Sequence, residues 1–427
     1  MMNKNSLNGL DLDIYHKILP NGLNVYVIPN NIVNNVHVTF STNYGSIHNT
    51  FIPKGKNKMI KVNDGIAHFL EHKVFEQPDG KDPFTTFANY GADANANTSN
   101  YKTTYLFSGP DYFKENMNFL LDFVQTPYFT DENVEKEKGI IASEIKMYSD
   151  QPYARLYEES LFNAFVNHPI RYSIAGTVES INKINKEELY ECYNTFYHPS
   201  NMYVVITGNV NPEEAIKIIE NNQTSKNYEK QQPIKIKMPD EPNKVFKENV
   251  EIEMDVVIPK VAYNYKIDYR KIKDIDKHDL FLYLTIWFHS KFSTSSLLVE
   301  ELKNDGVIAD SLELSYNFTD KHLLFMIMAD VLKEKELSKK IIESLNDKKV
   351  SEEDFNRKKK VLISSLVAMT DDIYQINEKI TADIVLYDKI YYNDYDILKN
   401  LNYNDMLKII NSINFDVSNK VLIKPKK

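Results

Sequence analysis

The sequence predicts an α+β protein made of two similar domains, and three observations carry that prediction. Strand-like stretches with a two-residue alternation are interspersed with helix-length segments rather than alternating strictly with them. A polar, proline-punctuated stretch, Thr224 to Lys247, interrupts the pattern near the middle. Beyond it the same coarse order of strand, long helix, strand and helices returns. Each half is expected to be an antiparallel sheet covered by helices on one face. The domains are expected at 1–223 and 248–427, with 224–247 as linker, and a length of 427 residues fits two domains.

The elements follow in order. Leu23, Val25 and Val27 alternate through Gly22 to Ile28, and Val36 to Phe40 follows an Asn-rich turn, so both read as strands. Asn63-Asp64 is placed to cap a helix over Gly65 to Phe75. Phe87 to Asp93 reads as a turn, feeding one threonine-rich strand from Asn97 to Phe107. Helices are expected over Asp111 to Gln125 and Asp131 to Tyr148, separated by the breaker Pro127. A strand at Met202 to Gly208 and a helix at Pro212 to Asn221 close the first half. The second half carries a strand at Ala262 to Tyr269, a helix at Lys277 to Ser290, a strand at Leu323 to Ala329, then helices to residue 413.

Composition excludes more than it identifies. Hydrophobic content of 42% and charged content of 26% are those of a folded protein, not a disordered one. A net charge of −9 argues against a nucleic-acid surface, which needs clustered Lys and Arg. The single cysteine, Cys192, forms no internal disulfide and has no CxxC partner, so it reads as a buried structural thiol. No run of 18 apolar residues suggests a membrane span, and Met1 to Pro20 lacks the apolar core of a signal peptide. A cytoplasmic protein with no membrane partner is the expectation.

The local signal with the most chemistry in it is His68-Phe-Leu-Glu71-His72. On a helix, residues four apart share a face, so the two imidazoles can bind one tetrahedral Zn²⁺ with Glu71 beside them. A metal lowers the pKa of bound water to ~7, and an adjacent carboxylate can take its proton. This is the HxxEH order of inverted zincins. By itself it is also what two core or solvated histidines on an amphipathic helix would look like. A third ligand should come from another element. Glu137 and Glu144 are seven apart, nearly two full turns, so both point the same way. One can bind metal while the other orients a ligand imidazole.

His68 to His72, Asn95-Ala-Asn-Thr98, Glu137 to Glu144 and Phe196 to Met202 occur in the order seen in the pitrilysin/insulinase family of zinc metallopeptidases. The chain resembles that family, and its bacterial YmfH-like branch in particular, in detail over about residues 20 to 210. The resemblance implies that His68, His72 and Glu144 are the Zn²⁺ ligands, Glu71 the general base, and Glu137 a supporting acid behind a ligand. It implies that Asn95, Ala96, Asn97 and Thr98 start an edge strand beside the metal. An extended peptide can be held there by main-chain hydrogen bonds, as an added strand. It also implies a fold that is half of a clam-shell peptidase chamber, and hydrolysis of short or unfolded peptides.

One stretch departs from the pattern. Many family members place an Arg and, seven residues later, a Tyr in the second domain, where they stabilise the developing oxyanion. Here Lys303 and Asp310 stand at those positions, within Glu300 to Asp310. Lysine replaces the charge but not the planar fork, and aspartate repels an oxyanion. The expectation is therefore a heterodimer in which a metal-free homologous subunit supplies the Arg/Tyr pair. A self-sufficient homodimeric oligopeptidase and a non-catalytic scaffold subunit are the alternatives. The remaining histidines show no ligand spacing.

Overall fold

The structure is a computed structural model and describes residues 2–426. Its first sheet has seven strands in the order β1-β2-β3-β9-β4-β8-β7. These are β1 (Asn3–Leu7), β2 (Leu12–Ile18), β3 (Asn24–Pro29), β4 (Val36–Thr42), β7 (Asp93–Thr98), β8 (Thr103–Gly109) and β9 (Met202–Gly208). A two-stranded ribbon, β5 (Thr50–Phe51) with β6 (Ile60–Lys61), follows β4 in the chain. The second sheet has the order β10-β14-β11-β13-β12: β10 (Asn249–Met254), β11 (Lys260–Asp268), β12 (Glu313–Phe318), β13 (His322–Asp330) and β14 (Ser418–Pro425). Both sheets are antiparallel except for one parallel pair each, β3 with β9 and β10 with β14.

The chain forms two compact units, each assembled from three segments. The first holds Met1–Ile145, Ser173–Met238 and Leu366–Asp394; the second holds Lys146–Tyr172, Pro239–Ser365 and Tyr395–Lys427. This differs from the contiguous division at 1–223 and 248–427. Two helices account for the difference. Helix α5 (Pro152–Ala164), from the first half of the sequence, packs on β11 and β14 of the second sheet. Helix Ile373–Tyr387, from the second half, packs on β4 and β9 of the first.

In the first unit, Val25, Val27, Val38, Phe40, Tyr105, Phe107, Val204 and Ile206 form an apolar sheet face. Helices α1 (Ile66–Val74) and α3 (Phe113–Val124) press their own apolar stripes into that face. The opposite face is polar and takes the helix Ile373–Tyr387. Thr39 Oγ1 donates to Asn377 Oδ1 at 2.8 Å, Asn377 Nδ2 donates to Val205 O at 3.1 Å, and Thr207 Oγ1 donates to Ile373 O at 2.8 Å. The expected cover of helices on one face thus gains one helix on the other.

In the second unit the helix Lys277–Phe292 buries Trp287 and Phe288, with Phe288 stacked on Phe325 of β13. The expected linker is ordered at its centre: Ile52 N donates to Lys235 O at 3.0 Å and Lys237 N to Thr50 O at 2.9 Å, extending the β5–β6 ribbon.

Two local expectations change. The single strand expected over Asn97 to Phe107 is a hairpin, because Ser99 N donates to Lys102 O at 2.8 Å and closes a two-residue turn. The stretch Phe87 to Asp93 is not all turn, since Asp82 caps a short helix, α2 (Pro83–Asn89), by accepting from Phe84 N.

Candidate metal centre

Helix α1 starts from Gly65, whose φ of 92° is in the left-handed region, and not from a capping Asn63 or Asp64. A Cβ at Gly65 would stand 2.5 Å from Ala175 O, so only glycine allows the entry. Ile66, Phe69, Leu70, Lys73 and Val74 fall on the buried stripe. His68 and His72 occupy the remaining face, their ring centroids 4.6 Å apart.

Helix α4 (Asp131–Ser149) is polar along most of its length, with Glu137 buried and Glu144 partly so. Its two glutamates meet the two histidines. His68 Nε2 lies 3.6 Å from Glu144 Oε1, and His72 Nε2 lies 3.6 Å from Glu144 Oε2. These are longer than hydrogen bonds. The other ring nitrogen of His72, Nδ1, is 3.0 Å from Glu137 Oε1. An ionised carboxylate only accepts, so Nδ1 donates, and in the neutral ring Nε2 keeps its lone pair on the side of Glu144. His68 Nδ1 is buried without a partner among the described residues.

One group of ligating atoms stands out among the described residues. His68, His72 and Glu144 each offer an atom within 4.8 Å of the others. Two ligands at about 2.0–2.1 Å from one tetrahedral zinc stand about 3.4 Å apart. The two 3.6 Å separations are close to that spacing, and the donor set, two imidazoles and a carboxylate, is one that zinc takes. The residues fit a zinc ion. His68 beside Glu144 holds that carboxyl below its usual range, against its partial burial. Burial pulls the His72 imidazole down, but the hydrogen bond and charge of Glu137 outweigh it and the pKa is raised. Burial would raise Glu137, yet His72 and Lys73 keep it low.

Glu71 is buried, with 8% of its surface exposed, and burial pushes its carboxyl up. Thr98 Oγ1 donates to Glu71 Oε2 at 2.6 Å, which partly opposes the shift. Of the four residues expected on the substrate strand, all lie on β7, which is an edge of the sheet. Asn95 and Asn97 are exposed; Ala96 and Thr98 are half-buried. Asn95 Oδ1 accepts from Ala96 N at 2.8 Å, so the edge amide is covered by a side chain.

One candidate has a second contact, and one contributor lies outside the sequence-based candidates. Thr98 contacts Glu71 as well as lying on the edge strand. Lys73, fully buried, lies 3.3 Å from Glu137 Oε2 and donates to Asn133 O at 3.1 Å. A signal for Lys73 is in the sequence: positions 66, 69, 70, 73 and 74 form one helical stripe, and a lysine on it requires an acid partner. In the second unit, Lys303 and Asp310 pair with each other at 3.3 Å, with side chains 38% and 84% exposed. Cys192 is buried, as expected for a structural thiol.

Paired histidines four apart, a carboxylate between them and an acidic helix behind define a candidate metallopeptidase centre. Similarity to known proteins agrees. The family description Insulinase (Peptidase family M16) matches residues 51–178, and Peptidase M16 inactive domain matches residues 183–362. The chain is 47% identical over 311 residues to the uncharacterized zinc protease YmfH of Bacillus subtilis (strain 168), covering 72% of each. Its fold superposes on the crystal structure of an M16-like peptidase from Alicyclobacillus acidocaldarius with a TM-score of 0.91 and 30% identity, over 98% of this chain and 100% of that one. A peptidase M16 inactive domain from Pseudomonas fluorescens shares the fold alone, at a TM-score of 0.77 and 15% identity over 97% and 98% of the chains. The chain belongs to peptidase family M16, the insulinase family. No helix among the described residues is long and apolar enough to cross a membrane.

Proposed function

We propose that this chain is a zinc-dependent endopeptidase that cleaves short or unfolded peptides laid along the edge of β7. The observation that carries the reading is the convergence of His68, His72 and Glu144 within 4.8 Å, with the buried carboxylate of Glu71 on the same helix. His68, His72 and Glu144 hold the metal, and Glu137 fixes the tautomer and orientation of His72. Zinc supplies Lewis acidity there, polarising a carbonyl oxygen and making water acidic near neutrality.

Glu71 takes a proton from the attacking water as its oxygen bonds to the scissile carbonyl carbon. It returns that proton to the amine nitrogen as the C–N bond breaks. The burial of Glu71 and its place on the helix that carries His68 and His72 suit this double duty, because one carboxylate beside the metal can both take the proton and give it back. Backbone N–H and C=O groups on the free edge of β7 bind the peptide without regard to its sequence.

The exposed Lys303–Asp310 ion pair favours a heterodimer. With its charge matched by Asp310, Lys303 is a poor stand-in for an oxyanion donor, and a metal-free homologous subunit supplies the Arg/Tyr pair instead. We read the site of action as the cytoplasm, in keeping with a lone buried cysteine. The test is Glu71→Gln: kcat on an unfolded peptide should fall by about 10²–10⁴-fold with zinc content unchanged. Unchanged turnover rejects the mechanism. Full turnover from the pure single chain rejects the heterodimer and leaves the mechanism standing.

A further inference from the structure

We infer that Thr98 is a positioning residue for Glu71: its hydroxyl leaves one chosen oxygen of the carboxylate free as the base, and its backbone ties that choice to the peptide-binding edge. The inference rests on the peptidase reading above.

Proton accounting fixes the direction of the contact. Thr98 Oγ1 is 2.6 Å from Glu71 Oε2 and 3.3 Å from Thr103 Oγ1. Thr103 Oγ1 also lies 2.9 Å from the carbonyl oxygen of Tyr44, which can only accept, so the Thr103 proton goes there. Thr103 Oγ1 therefore meets Thr98 only as an acceptor, at the longer 3.3 Å, and the Thr98 proton lies on its 2.6 Å contact to Glu71 Oε2. Oε2 is occupied as an acceptor. Among the described residues no protein group donates to Oε1, which is the oxygen left to take a proton.

The backbone of the same residue faces the other way. Ser99 N donates to Lys102 O, so 99 and 102 are a hydrogen-bonded pair. Alternation along the antiparallel β7–β8 ladder then turns the N–H and C=O of Asn97 and Asn95 toward β8. It turns those of Thr98, Ala96 and Ala94 toward the free edge. The contact between Asn95 Oδ1 and Ala96 N agrees with that assignment. A peptide added to this edge bonds to Thr98 through its main chain, while the Thr98 side chain holds Glu71. A single residue therefore sets both the register of the peptide and the orientation of the base, with no flexible segment between them.

The test compares Thr98→Val, which keeps the branched shape and removes the hydroxyl, with Thr98→Ser, which keeps the hydroxyl. Misplacing a catalytic group by about 1 Å costs on the order of 10²-fold, so Thr98→Val should lower kcat by roughly 10- to 100-fold. Its KM should stay within about twofold, because the main-chain contacts remain. Zinc content and thermal midpoint should match the wild type, and Thr98→Ser should keep kcat within about threefold. Wild-type kcat in Thr98→Val overturns the inference, as does a rise in KM alone. Loss of zinc or of folding in Thr98→Val overturns it too, since the assigned role is confined to the base. A Thr98→Ser protein that folds yet loses kcat as Thr98→Val does also overturns it. Glu71→Gln separates the two levels: if that variant stays active, the peptidase reading fails; if it is inactive and Thr98→Val is not, only this inference fails.

Discussion

Each unit of the chain buries a cluster of charged side chains, and the two clusters differ in what they leave over. In the second unit, Lys266 and Glu241 pair where neither side chain is exposed. Glu241 also accepts from the backbone N–H of Val166, Asn167 and His168, and Lys266 donates to the carbonyls of Ala164, Pro242 and Lys244. Burial would raise the Glu241 carboxyl, but Lys266 and the amides hold it low. Every strong donor and acceptor in that cluster is spent on the protein. In the first unit, Lys73 and Glu137 close off one side of His72 in the same way, yet the Nε2 atoms of His68 and His72 each lie 3.6 Å from an oxygen of Glu144, beyond hydrogen-bond length. Burial of charge marks a staple or a site alike. What distinguishes the site is a set of ligating atoms left facing one point.

That contrast can be broken in three places. The largest effect is expected from Glu241→Ala, which leaves Lys266 buried and unpaired and should cost about 3–5 kcal/mol of stability. Denaturant unfolding measures it, and zinc per folded molecule should not change. A loss of zinc without a loss of stability would mean the staple is part of the site.

Next, Glu137→Ala should weaken zinc retention by about 10- to 100-fold in competition with a chelator, because it removes the hydrogen-bond partner of His72 Nδ1. Undiminished affinity would mean that Glu137 is only a structural partner of Lys73.

The smallest effect, read per pH unit and per histidine, is on pH dependence. His168 and His322 in the second unit are buried, and burial lowers both to about 4. Unfolded histidine takes its proton near 6.5 and these folded ones do not until about 4, so the unfolded state binds more protons in that window. Stability should therefore fall as pH drops from about 6.5 toward 4, by roughly 1.4 kcal/mol per pH unit for each histidine at full slope. Unfolding curves for His322→Phe should lose one histidine's share. An unchanged slope would contradict the assignment of a neutral, buried ring.

How much of this was legible in the sequence follows from how local each feature is. His68, Glu71 and His72 lie within five residues of one helix, and helical geometry alone places them together. Glu137 and Glu144 are equally local to each other, but nothing local shows which histidine they face. That meeting depends on how α4 packs beside α1. Thr98 lay among the candidate strand residues, yet its contact with Glu71 is 27 positions away in sequence, and only the hairpin register reveals it. The hairpin itself was missed because Ser99 to Lys102 lacks the glycine that usually marks a two-residue turn. The placement of α5 and of Ile373–Tyr387 was out of reach for a further reason. Each helix packs on a sheet whose other strands are distant in sequence, and amphipathic periodicity says that a helix has a buried face without saying against which sheet.

The central claim is that His68, His72 and Glu144 hold one zinc ion. Anomalous diffraction at the zinc edge, from crystals of the full chain grown with zinc, tests it most directly. The account predicts one peak per chain, bounded by His68 Nε2, His72 Nε2 and the Glu144 carboxylate. A metal-free site at saturating zinc, or a zinc peak elsewhere with these three side chains uncoordinated, would contradict it.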